Sequence, residues 1–179
     1  MSEITLTPVQ RQFILHWGEM GARWGVNRTV AQAHALLYLS PAPLHADQIA
    51  SALAVARSNI STSLRELQGW GLIHVVHVLG DRRDFFEAHK DVWKIFEIVA
   101  AERKRREVDP TLAMLRQVTA DESADKYTKE RLEAMLEFVE VMTACYNDVQ
   151  RVPGGLLAFA KLRGKFKTLL GGGKAKERT

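Results

Sequence analysis

Hydrophobic positions recur at helical spacing from the start of the chain. Val9, Phe13, Trp17, Met20 and Trp24 form an apolar stripe. Ahead of it, Thr7-Pro8-Val9-Gln10 offers a capping hydroxyl, a proline suited to the first helical position and a glutamine three residues on. The pattern predicts a helix starting at Pro8. Gly18, Gly21 and Gly25 interrupt the bulky positions and predict close approach of another backbone. Asn27 can cap a second helix, with Val30, Ala33 and Leu37 facing inward, and this helix must end near Ser40 because Pro41 and Pro43 follow.

Ile49, Ala50 and Leu53 mark a short third helix, and Ile60, Leu64 and Leu67 a fourth, with only Ala54-Val55-Ala56 between them. So tight a joint fits a helix-turn-helix. The period then changes. Leu72 to Leu79 is rich in β-branched residues, Gly80-Asp81 makes a turn and Phe85-Phe86 follow, which predicts a β-hairpin. Helix, helix, hairpin is the order of a winged helix.

From Asp91 the spacing is helical again, with Val92, Ile95, Phe96 and Val99 on one face, followed by the charged run ERKRRE. Asp109-Pro110 either kinks this helix or caps a new one carrying Leu112, Leu115 and Val118. Beyond a polar joint at 120–125, Leu132, Met135, Val139, Met142, Tyr146 and Val149 alternate in steps of three and four, a heptad seam. Pro153-Gly154-Gly155 ends that pattern. The expected fold is mainly α: an N-terminal helix over 1–27, a winged helix-turn-helix over 28–90, a helical dimerisation region over 91–152 and a basic tail over 153–179.

Composition narrows the function classes. The chain has 179 residues, 46% hydrophobic and 26% charged, with no window approaching the roughly 18 apolar residues of a membrane span. MSEITLTP has no basic stretch before an apolar block, unlike a secretory signal, and the single Cys145 cannot close an internal disulfide. A cytoplasmic protein is expected. The net charge of +4 is unevenly placed: eight Lys or Arg against Glu177 after position 150 give +7, so the first 150 residues carry −3. Affinity for nucleic acid must therefore come from local clusters.

One such cluster opens the fourth helix. Arg57, Ser58, Asn59, Ser61, Thr62, Ser63 and Arg65 fall between the apolar positions Ile60, Leu64 and Leu67. In a helix-turn-helix the second helix enters the major groove, where Arg can grip guanine, Asn adenine, and Ser or Thr phosphate or base. A basic hairpin tip beside it, here Arg82 and Arg83, suits the adjacent minor groove. Successive strand residues point to opposite faces, so one arginine would probe the groove and the other turn back toward Asp81 or Asp84. Arg82 is the expected probe.

The motifs Arg57-Ser58-Asn59 through Leu64-Arg65-Glu66-Leu67, then Trp70-Gly71-Leu72 and Gly80-Asp81-Arg82-Arg83-Asp84, resemble the MarR-type winged-helix regulators, and most the GbsR-like branch. The resemblance spans roughly residues 8 to 150. It implies a homodimer built on long N- and C-terminal dimerisation helices, a pseudo-palindromic double-stranded DNA operator, and repression relieved by a small ligand or an oxidant. The seam Leu132, Met135, Val139, Met142, Tyr146 and Val149 is the expected dimer interface. The sequence departs from the pattern at His45 and Ala56, where Ser or Thr caps are usual.

Other features are weighed against simpler roles. Trp17, Trp24, Trp93 and Phe96 could line a ligand pocket suited to a quaternary ammonium, or simply belong to a core. Cys145 could be a redox switch, or a small apolar residue on a helix face. Catalysis is not expected: His16 and Glu19 have no second pair to complete a metal site, His74 and His77 fall on opposite strand faces, and Gly171-Gly172-Gly173-Lys174 lacks the strand and hydroxyl of a phosphate loop. No cofactor and no metal are expected. The tail has three readings: Leu156, Phe159, Leu162, Phe166 and Leu169 packing on the helices, Lys161, Arg163, Lys165 and Lys167 touching phosphate, or the same segment lying on anionic lipid. A winged-helix module that binds protein rather than DNA is the alternative function.

Overall fold

A computed structural model describes residues 4–151, with side chains described through Asp148. The side chain of Val149 and the tail 153–179 lie outside the described residues. The chain divides after Ala100 into two compact units.

The first unit opens with α1 (Pro8–Arg23), α2 (Arg28–Leu39), β1 (Leu44–His45), α3 (Ala46–Leu53) and α4 (Arg57–Trp70), followed by β2 (Ile73–His77) and β3 (Asp84–Ala88). Helix α1 begins as its sequence dictates: Thr7 Oγ1 accepts from Gln10 N at 3.2 Å while Gln10 Oε1 accepts from Thr7 N at 2.9 Å. Its buried line is Ile14, Gly18 and Gly21, not the apolar stripe, whose Phe13, Trp17 and Met20 are half-buried and whose Val9 and Trp24 are exposed. Glycines are required on that line because α2 crosses there; a Cβ on Gly21 would come within 2.5 Å of Ala31 Cβ. Gly25, expected to share this role, has open space around it and instead turns the chain at φ +77°.

Asn27 caps α2 through Thr29 N at 2.8 Å, and the helix stops at Leu39. The core gathers α2, α3 and α4 around Leu37, Ile49, Ile60, Leu64 and Leu67, the largest fully buried side chains. Helix α4 ends in a Schellman arrangement, with Gly71 left-handed and Leu72 N donating to Leu67 O at 3.0 Å. This aims the chain from the helix end straight into β2.

The sheet is antiparallel in the order β1-β3-β2. The hairpin is shorter than its β-branched run suggests: Val78 and Leu79 leave the ladder, and Gly80 turns at φ +84°. The two-residue β1 was not expected. It pairs Leu44 with Phe86 and His45 with Phe85, which brings the entrance of α3 against the base of the wing.

Helix α5 (Val92–Arg103) starts under an Asp91 cap, Oδ1 accepting from Trp93 N at 2.8 Å. Ile95, Ile98 and Val99 pack on the core of the first unit, whereas Val92 and Phe96, assigned to that face by spacing, are exposed.

In the second unit, a π-helical segment (Lys104–Val108) precedes α6 (Asp109–Thr119), and α7 runs Lys126–Arg151. Val108 and Asp109 keep helical dihedrals, so Asp109 does not cap a fresh helix, and the α-helical bonding gives way to the π-helical segment just before Pro110. Proline removes one backbone donor and crowds the carbonyl four residues back, and a π turn re-spaces the bonds around that defect. Leu112 and Leu115 of α6 are buried, and Arg116 reaches Glu140 Oε1 on α7 at 2.8 Å. Leu132, Leu136, Val139, Thr143 and Tyr146 form the half-buried face of α7.

Candidate nucleic-acid interface

Helix α4 is amphipathic along its length. Ile60, Leu64 and Leu67 face the core, and Arg57, Ser58, Asn59, Thr62 and Arg65 are exposed. Ser63 belongs to the inner face: it is 3% exposed and cannot meet a ligand on the outer side. Its spacing says why, since 60, 63, 64 and 67 form one helical stripe and serine is small enough to fit there. Ser61 is half-buried, donating to Arg57 O at 3.0 Å while accepting from the Arg57 guanidinium.

The four arginines fall into two kinds. Arg57 donates through Nε to Asp47 Oδ1 on α3 at 2.6 Å. Arg83 is held by Asp81, its Nε 2.9 Å from Oδ1 and its backbone N–H 3.0 Å from the same oxygen. Its Nη1 lies 3.0 Å from His45 Nε2, and its guanidinium 5.7 Å from the Phe85 ring centre. Bonding from Arg83 pulls the Asp81 carboxyl down to about 2 and raises the guanidinium in turn. Arg65 and Arg82, by contrast, are exposed and make no hydrogen bond or ion pair among the described residues. Of the two wing arginines, Arg83 is the one turned back, and its partner is Asp81; Asp84 instead stands 3.9 Å from His77 Nδ1.

These groups border a cleft of about 300 Å³ between α4 and the wing, lined by Arg57, Ser61, Arg65, Gln68, Arg83 and Asp84 among others. Nothing in the sequence marked His45 as part of it. A non-capping residue at a helix start was the available signal, and its buried ring facing the wing is what that residue does.

A second cavity, of about 230 Å³, lies wholly within the first unit, lined by Phe13, Trp17, His34, Ala35, Tyr38, Val92 and Ile95. Of Trp17, Trp24, Trp93 and Phe96, only Trp17 lines it. Trp24 sits edge-on to Trp17 at 6.5 Å, and Trp24, Trp93 and Phe96 are exposed. Spacing alone missed His34, whose buried Nε2 has no hydrogen-bond partner. Burial, then the charges of His89 and Lys90, lowers its pKa to about 4, so it is neutral at ordinary pH.

The seam on α7 also divides. Leu132, Val139 and Tyr146 are half-buried on the face turned to α6, while Met135 and Met142 are exposed beside Phe138 and Val141. Cys145 is exposed. Among the described residues no group of three or more His, Cys, Asp or Glu could hold a metal, and no helix is long and apolar enough to cross a membrane.

A helix-turn-helix whose second helix presents a polar face, flanked by a three-stranded antiparallel sheet with a basic loop, defines a winged helix. Residues 24–84 match the MarR family model. Among solved structures, a transcriptional regulator is 24% identical over 79% of this chain and 95% of its own, with TM-score 0.63. A MepR mutant from S. aureus bound to an oligodeoxyribonucleotide is 16% identical over 76% and 92%, TM-score 0.39. The Thermotoga maritima regulator Tm0710 is 17% identical over 78% and 94%, TM-score 0.38. No curated protein matches the chain.

Proposed function

We propose that this protein is a DNA-binding transcriptional regulator of the MarR type, acting in the cytoplasm as a homodimer on a pseudo-palindromic operator, and repressing until a small ligand releases it. Within that type, the motifs from Arg57 to Asp84 resemble the GbsR-like branch. The observation that carries the reading is the outward face of α4, where Arg57, Ser58, Asn59, Thr62 and Arg65 stand exposed beside a loop that presents Arg82. In this reading Asn59 and Arg57 meet base edges, Arg65 meets phosphate and Arg82 enters the minor groove. Catalysis has no part in it.

Dimerisation is assigned to the exposed apolar stripe Met135, Phe138 and Met142 of α7 rather than to the whole heptad seam, because Leu132 and Val139 are already engaged within the unit. Two half-sites about 34 Å apart would then lie on one face of the duplex. For the effector, the cavity beside His34 fits a small molecule with an apolar or aromatic body and one group that hydrogen-bonds a neutral imidazole.

Titration with random and genomic duplexes at several salt concentrations tests the reading. A salt-dependent complex, tighter on selected genomic fragments, is expected. A protein that binds no duplex at any salt would leave the winged helix as a protein-interaction module instead.

A further inference from the structure

We propose that His45 is a positioning residue that couples the wing to the head of the recognition helix: its neutral ring holds Arg83, and through Arg83 the wing loop, against α3 and α4. The proposal rests on the reading above for its bearing on DNA, but its geometry stands without it.

A guanidinium can only donate, so His45 Nε2, 3.0 Å from Arg83 Nη1, must accept. The ring proton therefore sits on Nδ1, which is buried without a hydrogen-bond partner, 3.7 Å from Asp47 Oδ2. The ring has little freedom to turn. His45 is 3% exposed, its backbone N–H is taken by Gln48 Oε1 at 3.0 Å, and its edge stands against Phe85 at 5.4 Å. Pairing of β1 with β3 sets His45 opposite Phe85 and fixes that distance. A chain of contacts thus runs from Arg57 on α4 through Asp47 and His45 to Arg83 and Asp81 in the wing.

Ionising the ring breaks this chain at one link. A proton on Nε2 would set donor against donor and place two positive charges at 3.0 Å. The charged groups facing the ring are Asp47 from α3, Arg57 from α4, and Asp81 and Arg83 from the wing. Asp47 and Asp81 offset part of the new charge, Asp47 Oδ2 lying 3.7 Å from Nδ1, but each already pairs an arginine, Asp47 with Arg57 and Asp81 with Arg83, and neither removes the donor-to-donor contact at Nε2. Arg83 must leave, and the loop from Val78 to Arg83 loosens, while Arg57 keeps its hold on Asp47.

The test compares the wild-type chain with His45→Gln, whose amide oxygen accepts at every pH, and His45→Phe, which cannot accept. Nitrogen NMR of the imidazole at pH 7.5 should show Nε2 unprotonated and Nδ1 protonated. On acidification through the His45 titration, wing-loop amide exchange, corrected for its intrinsic pH dependence, should rise on the order of tenfold in the wild type. His45→Gln should keep slow exchange at both pH values, and His45→Phe should show fast exchange at both. A protonated Nε2 at pH 7.5, or wing exchange that ignores the titration or the Phe substitution, would overturn the proposal. Duplex binding is measured alongside: His45→Phe should weaken it while His45→Gln does not. If the wild type binds no duplex, the functional reading falls and the exchange data still judge the coupling.

Discussion

The ammonium of Lys90 lies 2.7 Å from the carbonyl oxygen of Leu37, closing the end of a helix more than fifty residues earlier in the chain. The same group reaches Tyr38 O at 3.0 Å and Ser40 O at 2.7 Å. It meets the free carbonyls and the negative end of the α2 dipole, and ties the exit of the wing to the core. Replacing it leaves those carbonyls to water. Lys90→Met is expected to cost about 1–2 kcal/mol in urea unfolding, and an unchanged midpoint would refute the cap.

His34 makes stability depend on pH. Its pKa falls from 6.5 unfolded to about 4 folded, so the unfolded chain takes up the proton first as acid is added. The stabilisation is complete above pH 6.5 and is lost as pH falls toward 4. At about 1.4 kcal/mol per pH unit, the loss attributable to this ring is about 3 kcal/mol. Unfolding curves at pH 7.5, 6 and 5 should show about 2 kcal/mol of it by pH 5, and His34→Leu should flatten the trend. A wild-type profile no steeper than that of the variant would refute it.

Arginine substitutions should separate by how each guanidinium is used. Arg65→Ala and Arg82→Ala remove cations with no partner among the described residues, and each should lower the salt slope of duplex binding by about 1. Arg57→Ala instead exposes Asp47 and should cost about 1–3 kcal/mol with altered preference at one base position. Equal salt-slope losses for all three would mean that Arg57 also serves phosphate alone.

On α7, Phe138 is 62% exposed and Met142 54%. Phe138→Glu should shift sedimentation toward the monomer mass without lowering the melting temperature of the second unit. Val139→Glu, one residue on, should destabilise that unit because it faces α6. Reversed outcomes would put the dimer surface on the half-buried face.

Ala54 closes the turn between α3 and α4 in a left-handed conformation, φ 53° and ψ 44°. A side chain there costs roughly 1 kcal/mol, which glycine avoids. Ala54→Gly should raise the thermal midpoint or leave it level; a drop of several degrees would show that the Ala54 methyl contributes packing.

Much of this architecture is legible in the sequence, because caps and periodicity act over one helical turn. Thr7 with Gln10, Asn27 and the Ile60-Leu64-Leu67 stripe each declare themselves within a few residues. Contacts that span the chain do not. A two-residue strand is too short for alternation to register, so β1 and the seat of His45 are invisible until β3 pairs with it. Lys90 looks like any surface lysine, since its partners are at the far end of α2. On α7 two apolar stripes overlap, and a count of threes and fours cannot separate the one turned to α6 from the one left open. Ser63 misleads for a related reason: a small hydroxyl is equally at home on either side of a helix.

The pairing of Arg57 and Arg83 within the protein has a consequence for search. Two of the four guanidiniums on this face are each bonded to a carboxylate, so in the proposed reading the face offers a duplex of arbitrary sequence only about half the attraction that its four arginines would give if none were paired. Visits to random DNA should then be brief. In that reading, discrimination comes less from a strong hold on the right site than from a weak grip everywhere else, as a search among many competing phosphates requires.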